Sequence, residues 1–406
     1  MKSFFRKKII FSVAVVLSIL AISVMTLVYG HESIAKEYSE LSRTDEYGGG
    51  IIAAAEMVRT KTSYTEQAIR ENVTGRNFFT EVYGAVHRLM MKDEIQGFVH
   101  VKDRDGFLHS GAFYIEEDDS LELYAKKVRK FADAAGADGA KIMFISFPEK
   151  SYIKNDFEKG IPAREYDYIQ DEFLTYLMRN RVDSLDLRNS LKRRGSKRDE
   201  LYYRTDKSMT TYGSFEVFCS IVSEIEQRYG ISMDPEKIYT DRSSYTVEEY
   251  PGVFIGNMAS DSGSIFSGRD DFEIYVHAIP QEFRWEYVNQ KDKTFNKAGD
   301  SEILLMREYL ENDDIYARYP IRTYLGGSND WDRITNLKNP DAPKILCIRD
   351  DNFSAVATFL APLCSELHLV NPSADRTDIK EYIRDNEFDL VLYALSAGRI
   401  NERYFQ

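Results

Sequence analysis

Residues 344–395 read KILCIRDDNFSAVATFLAPLCSELHLVNPSADRTDIKEYIRDNEFDLVLYAL. The apolar runs Lys344–Ile348, Glu366–Val370 and Asp389–Leu395 have strand length, and the stretches between them, Phe353–Leu363 and Asp378–Asn386, have helical spacing. Alternating strands and helices imply right-handed crossovers, so the expected fold class is α/β, a mostly parallel sheet with helices on both faces. Such sheets bind ligands outside the carboxyl ends of their strands. The turn Arg349-Asp350-Asp351-Asn352 lies at one of these ends and opens a helix, which makes it a candidate site, with Ser354 just beyond it.

Further strands are expected at Lys141–Phe147, closed by Pro148, and at Val182–Leu187. Helices are expected over 119–135, 165–179 and Ser63–Met91, and a hairpin turn at Asp105-Gly106. The region 231–343 is rich in Tyr, Gly, Ser and Asp, with short strands such as Phe272–Ala278 and a longer helix only at 301–312. It reads as a β-rich insertion or cap on the sheet.

Lys2, Arg6, Lys7 and Lys8 precede an uncharged stretch from Ile9 to Gly30. About 20 apolar residues suffice for a transmembrane helix, and the positive flank places the N-terminus in the cytoplasm. Residues 1–30 are therefore expected to be a single-pass signal anchor in the cell membrane. A cleaved secretion signal is the alternative. Either way the bulk of the chain is extracytoplasmic: a juxtamembrane stalk over 31–62, broken by Gly48-Gly49-Gly50, and one domain over 63–406. Lys plus Arg is 53 against 66 Asp plus Glu, a net charge of −13, which argues against nucleic-acid binding. The basic cluster Lys192-Arg193-Arg194 with Lys197-Arg198 reads as a solvated loop. Three cysteines without CxxC spacing and six scattered histidines argue against a disulfide scaffold or a zinc site.

Leu201–Gly213, LYYRTDKSMTTYG, carries a resemblance. Tyr202-Tyr203, Thr205-Asp206, Thr210 and Gly213 match the signature of the DHHW proteins, an exported SGNH-hydrolase-like family similar to the alginate-type polysaccharide O-acetyltransferases. Lys344–Pro362 resembles the family's strand–Asp–Ser–helix block, and the segments around Tyr124, Pro148, Asp186 and Gly256–Asp271 agree in order. The resemblance covers residues ~65 to 406 and implies an SGNH-like, flavodoxin-like three-layer fold. It also implies work on cell-envelope polysaccharide, beside a membrane-bound O-acyltransferase, with no cofactor.

Acyl transfer in this class uses a Ser nucleophile and a His base oriented by Asp. The resemblance places the orienting Asp at Asp206, the catalytic His position at Ser208, and the nucleophilic Ser position at Asp351. Lys207 stands where the family has another His, and Met209 where it has Trp. Ser208 is no base near neutral pH, and an acyl-Asp351 would be a mixed anhydride. Thr205, Lys207, Thr210, Arg349, Asp350, Asn352 and Ser354 are the expected pocket residues, with no metal. The implied function is a degenerate acyltransferase that binds a glycan or a partner. Two alternatives stay open: an active O-acetyltransferase or acetylesterase using Ser354 with His277 or His368, and an acidic hydrolytic or cation site built from Asp206, Asp350 and Asp351. Trp285 and Trp331 are candidates for a sugar-stacking platform.

Overall fold

The computed structural model describes residues 2–42, 51–111, 120–137, 139–152, 167–289, 293–373 and 378–405. The triple glycine of the expected stalk lies outside them. The chain divides into two compact units, Met1–Tyr83 and Gly84–Gln406. In the first, helix α1 (Lys2–Leu41) contains a span, Lys8–Ser39, long and apolar enough to cross a membrane. Helix α2 (Ile51–Glu71) follows, and the Thr74 N–H donates to the buried Thr26 hydroxyl of α1 at 3.0 Å. The helix expected over Ser63–Met91 is therefore two: α2 ends before Asn72, and α3 (Arg76–Leu89) begins after Gly75, whose φ of +78° suits glycine.

After the end of α3, the second unit has a small antiparallel sheet of β1 (Glu94–Ile95), β2 (His100–Lys102) and β3 (Leu108–Ser110), with Gly106 in the β2–β3 turn at φ +88°. Next come α4 (Leu121–Ala137), β4 (Lys141–Phe147), α5 (Asp167–Arg179), β5 (Ser184–Asp186), α6 (Leu187–Arg194) and α7 (Thr211–Tyr229). Strands β6 (Tyr245–Phe254) and β7 (Asp270–His277) pair with each other, flanking the one-turn helix α8 (Ser264–Ser267). Then follow β8 (Phe283–Val288), β9 (Thr294–Gly299), β10 (Trp331–Asn336), β11 (Lys344–Arg349), α9 (Phe353–Leu360), β12 (Glu366–Val370), α10 (Ile379–Asn386) and β13 (Leu390–Ser396).

The main sheet runs β5-β4-β13-β11-β12-β10-β8-β9. Its first five strands are parallel, and β10, β8 and β9 extend it antiparallel. The fold is the expected SGNH-like α/β arrangement with a mixed sheet. One expectation needs correcting: part of 231–343 is sheet, not cap. Trp331–Asn336 alternates inward and outward side chains, so β10 buries one row against the core and pairs with both β12 and β8. The helix expected at 301–312 is replaced by short 3₁₀ turns at Ser301–Leu304 and Arg307–Tyr309.

The alternation of the central strands builds the two faces. Met143, Ile145 and Phe147 of β4 pack under α6, α7 and α9, together with Ile345, Cys347, Leu390 and Leu392. Ile142 and Phe144 face the other way, with Leu346, Ile348, Val391 and Tyr393, onto α4, α5 and α10. Burying both faces explains the near-continuous apolar runs that mark these strands in the sequence. The three cysteines are buried free thiols.

Candidate functional site

The neighbouring strands β4, β13 and β11 end together, and the residues after them, Glu149-Lys150, Gly398-Arg399 and Asp350-Asp351-Asn352, line a cavity of about 450 Å³. Its other walls come from the Asp206 loop, β3 and the segments 254–258 and 318–328. The position agrees with the expectation for ligands in a parallel α/β sheet.

The Asp206 loop is a closed turn. Tyr202 and Met209 bridge it, the Tyr203 N–H donates to the Ser208 carbonyl at 3.2 Å, and the Thr210 N–H donates to the Leu201 carbonyl at 2.9 Å. The Thr210 hydroxyl then caps α7 by accepting from the Gly213 N–H at 2.9 Å. Asp206 is buried, and backbone amides hold both its oxygens: Oδ1 accepts from Ser208 N at 2.8 Å and Oδ2 from Asn257 N at 2.7 Å. Lys150, also buried, donates Nζ to the carbonyls of Arg204 at 2.8 Å and Asp206 at 2.7 Å. Burial pushes its ammonium down to about 7, against the pull of Asp206, Asp270 and Asp103. Thr205 lies behind the loop, where its N–H and hydroxyl both donate to Asp270 Oδ2 at 2.7 and 2.6 Å.

On the opposite wall Asp350 is buried. It accepts from the Asn352 N–H at 2.9 Å and the Ser396 N–H at 2.8 Å. Burial raises its pKa above the usual carboxylate range. Asp351 is the open carboxylate: its side chain is 54% exposed and lies 3.4 Å from the Arg399 guanidinium. Asn352 Nδ2 donates to the Ser396 hydroxyl at 2.8 Å. Half-buried Glu149 accepts from the Gly398 N–H at 2.7 Å. Burial pushes its carboxyl up to about 7, helped by Asp350 and opposed by the Gly398 N–H, Lys207 and Arg399.

Residues 102–306 match the family described as ALGX, an SGNH hydrolase-like domain, acetyltransferase AlgX. The chain belongs to this AlgX-type family. Among solved structures it is similar to a DHHW family protein from Eubacterium siraeum, at 16% identity over 75% of this chain and 95% of that one, with a TM-score of 0.56. It is also similar to Bacillus cereus PatB1 with a sulfonyl adduct, at 15% identity over 76% of this chain and 96% of that one, with a TM-score of 0.60. The O-acetyltransferase domain of Pseudomonas putida AlgJ matches more loosely, at 12% identity over 75% of this chain and 91% of that one, with a TM-score of 0.43. At these identities the first two likenesses are likenesses of fold. No curated protein matches the chain by sequence.

In this AlgX-type domain, Asp206, Lys207, Ser208, Asp350, Asp351 and Asn352 all line the one cavity. Thr205, Thr210 and Arg349 stand behind it. Arg349 is fully buried, with Nη2 3.0 Å from Asp332 Oδ2 and Nη1 donating to the Ser354 hydroxyl at 3.2 Å. Ser354 in turn donates to the Gly327 carbonyl at 2.9 Å and faces a side void of about 20 Å³ that Ser208 and Asp351 share. The two histidines weighed as substitutes lie elsewhere. His277 stacks on Tyr239 with ring centroids 4.6 Å apart, and its Nδ1 accepts from the Ile279 N–H at 3.0 Å. His368 is a buried core histidine between Glu366 and Tyr382, pushed down to about 4 by burial. Trp285 is buried and donates Nε1 to Asp332 at 3.0 Å, so it offers no sugar platform. Among the described residues no group of three His, Cys, Asp or Glu is arranged to hold a metal ion.

The wall residues that reading the sequence missed include His109, Glu149, Lys150 and Arg399. His109 Nε2 lies 3.0 Å from Asp103 Oδ2, both side chains buried, and burial lowers the pKa of the imidazole. Glu149 and Lys150 had a signal, since they directly follow a buried strand. His109 had none beyond its place in a hairpin.

Proposed function

We propose that this AlgX-type domain, of the polysaccharide O-acetylation lineage, binds a sugar of a cell-envelope polysaccharide in the 450 Å³ cavity without serine-based acyl transfer. One observation carries this reading. Ser208 and Asp351, the positions at which the resemblance expects the base and the nucleophile, line the same cavity as Asp206. The replacements therefore fall within the pocket, and the nearby Ser354 hydroxyl is committed to Gly327 and Arg349. Removing members of such a triad costs several orders of magnitude in rate. The domain is held outside the cytoplasm by α1 as a single-pass anchor, beside a membrane-bound O-acyltransferase.

The test pairs two measurements on the full chain. The expected result is retention by a cell-envelope polysaccharide column, with no turnover of p-nitrophenyl acetate and no covalent trapping by a sulfonyl fluoride. Turnover with trapping at a serine would refute it.

A second reading has one observation in its favour: the His109–Asp103 pair on the cavity wall, an imidazole held by a buried carboxylate. On that reading acetyl-ester turnover exists and is abolished in His109→Ala.

A further inference from the structure

The side void beside the cavity differs from it in size and in lining. It measures about 20 Å³ and shares Ser208, Ile321, Asp351 and Asn352 with the walls of the 450 Å³ cavity. Tyr203, Met209, Phe272, Tyr324 and Ala355 supply most of its apolar surface, and the first four are buried. Three hydroxyls along it are committed to the protein. Thr211 donates to the Glu273 carbonyl at 2.6 Å, Ser354 donates to the Gly327 carbonyl at 2.9 Å, and the Tyr324 hydroxyl accepts from the Tyr275 N–H at 3.3 Å. Water in such a space is loosely held, and an apolar group that displaces it gains affinity.

Size decides what enters. A void needs roughly 10–15 Å³ to hold one water, so this one takes a group of about one or two heavy atoms. A sugar ring fits only the larger cavity. Charge narrows the choice further. Asp351 at the shared wall has a side chain 54% exposed, and its carboxylate disfavours an anionic substituent there. We propose that the void takes the methyl end of an acetyl ester carried by the bound sugar, so that the cavity reads O-acetylated polysaccharide in preference to the unmodified chain. The inference rests on the sugar-binding reading of the cavity and names the form of glycan it selects. Ser208 supplies a hydroxyl at the shared wall for the ester carbonyl, and Asp351 stands where an anion would be repelled.

The experiment measures retention of the full chain on cell-envelope polysaccharide in four forms. These are the native polysaccharide, the same material stripped of esters by mild base, and stripped material re-esterified with acetic or with butyric anhydride. The expected result is that the acetylated form is bound about tenfold more tightly than the stripped form, the scale set by one small apolar group in a matching pocket. The butyrylated form should be bound no better than the stripped one, because its longer chain exceeds the void. Ala355→Leu, which fills the void, should lower retention of the acetylated form to the stripped level. Equal retention of acetylated and stripped material overturns this inference and leaves the sugar-binding reading standing. So does tighter binding of the butyrylated form, which shows an open apolar surface in place of a void of one-methyl size. Retention of none of the four forms defeats the sugar-binding reading, and this inference with it.

Discussion

The Arg349 guanidinium and the Asp332 carboxylate meet at 3.0 Å with both side chains wholly excluded from solvent. They join β11 to β10 across β12, just behind the cavity. Asp332 also accepts from Trp285 Nε1 at 3.0 Å and Asn329 Nδ2 at 2.7 Å. Breaking such a pair on one side leaves a buried charge uncompensated. Arg349→Met is expected to cost about 3–5 kcal/mol, read from denaturant midpoints. Adding Asp332→Asn should recover part of the loss. Equal stability of Arg349→Met and wild type would show that the pair contributes nothing.

Gly256 is required by a close approach. A Cβ there would sit 2.4 Å from Asp206 Cβ and 2.5 Å from the Thr205 carbonyl oxygen. Gly256→Ala is expected to destabilise the fold by about 1–3 kcal/mol and to displace the Asp206 loop, so glycan retention should fall with it. Gly136 of α4 has open space around its Cβ position. Gly136→Ala should be neutral or stabilising by up to about 1 kcal/mol. A Gly256→Ala protein as stable as Gly136→Ala would refute the packing account.

The two titrating residues after β4 give stability a pH dependence of opposite sign on either side of neutrality. Folding raises Glu149 to about 7, so its contribution is greatest below the ordinary carboxylate range and is lost as pH climbs toward 7. Folding lowers Lys150 to about 7, so the unfolded chain binds the extra proton between there and the ordinary lysine range, and stability from Lys150 grows as pH rises through that window. Glu149→Gln should flatten the stability profile between pH ~4.5 and 7 and leave the alkaline limb unchanged. An unaltered acid-side slope would exclude Glu149 as the titrating group.

Because the Ser208 N–H donates to Asp206 Oδ1 at 2.8 Å, residue 208 is held beside the carboxylate that would orient a histidine. The double substitution Ser208→His with Asp351→Ser is therefore expected to turn over p-nitrophenyl acetate above the wild-type level, and to be trapped at position 351 by a sulfonyl fluoride. Ser354→Ala should leave that gained activity intact while costing about 1 kcal/mol of stability. Loss of the gained activity in Ser354→Ala would instead make Ser354 the nucleophile.

The alternation of apolar runs and helical stretches over 344–395 was enough to establish the parallel sheet, because a strand buried on both faces must be apolar throughout and a crossover helix must be amphipathic. The same local reading found the β2–β3 hairpin at Asp105-Gly106 and the turn Arg349–Asn352 at the cavity, while the family resemblance supplied the Asp206 loop that faces it there. It did not place β8 to β10 in the sheet, because short alternating strands look the same in a cap as at a sheet's antiparallel edge. Nor did it pair Arg349 with Asp332, set Gly256 against Asp206, or bring His109 to the cavity wall. Those relationships join segments distant in the chain, and periodicity carries no information about distant partners.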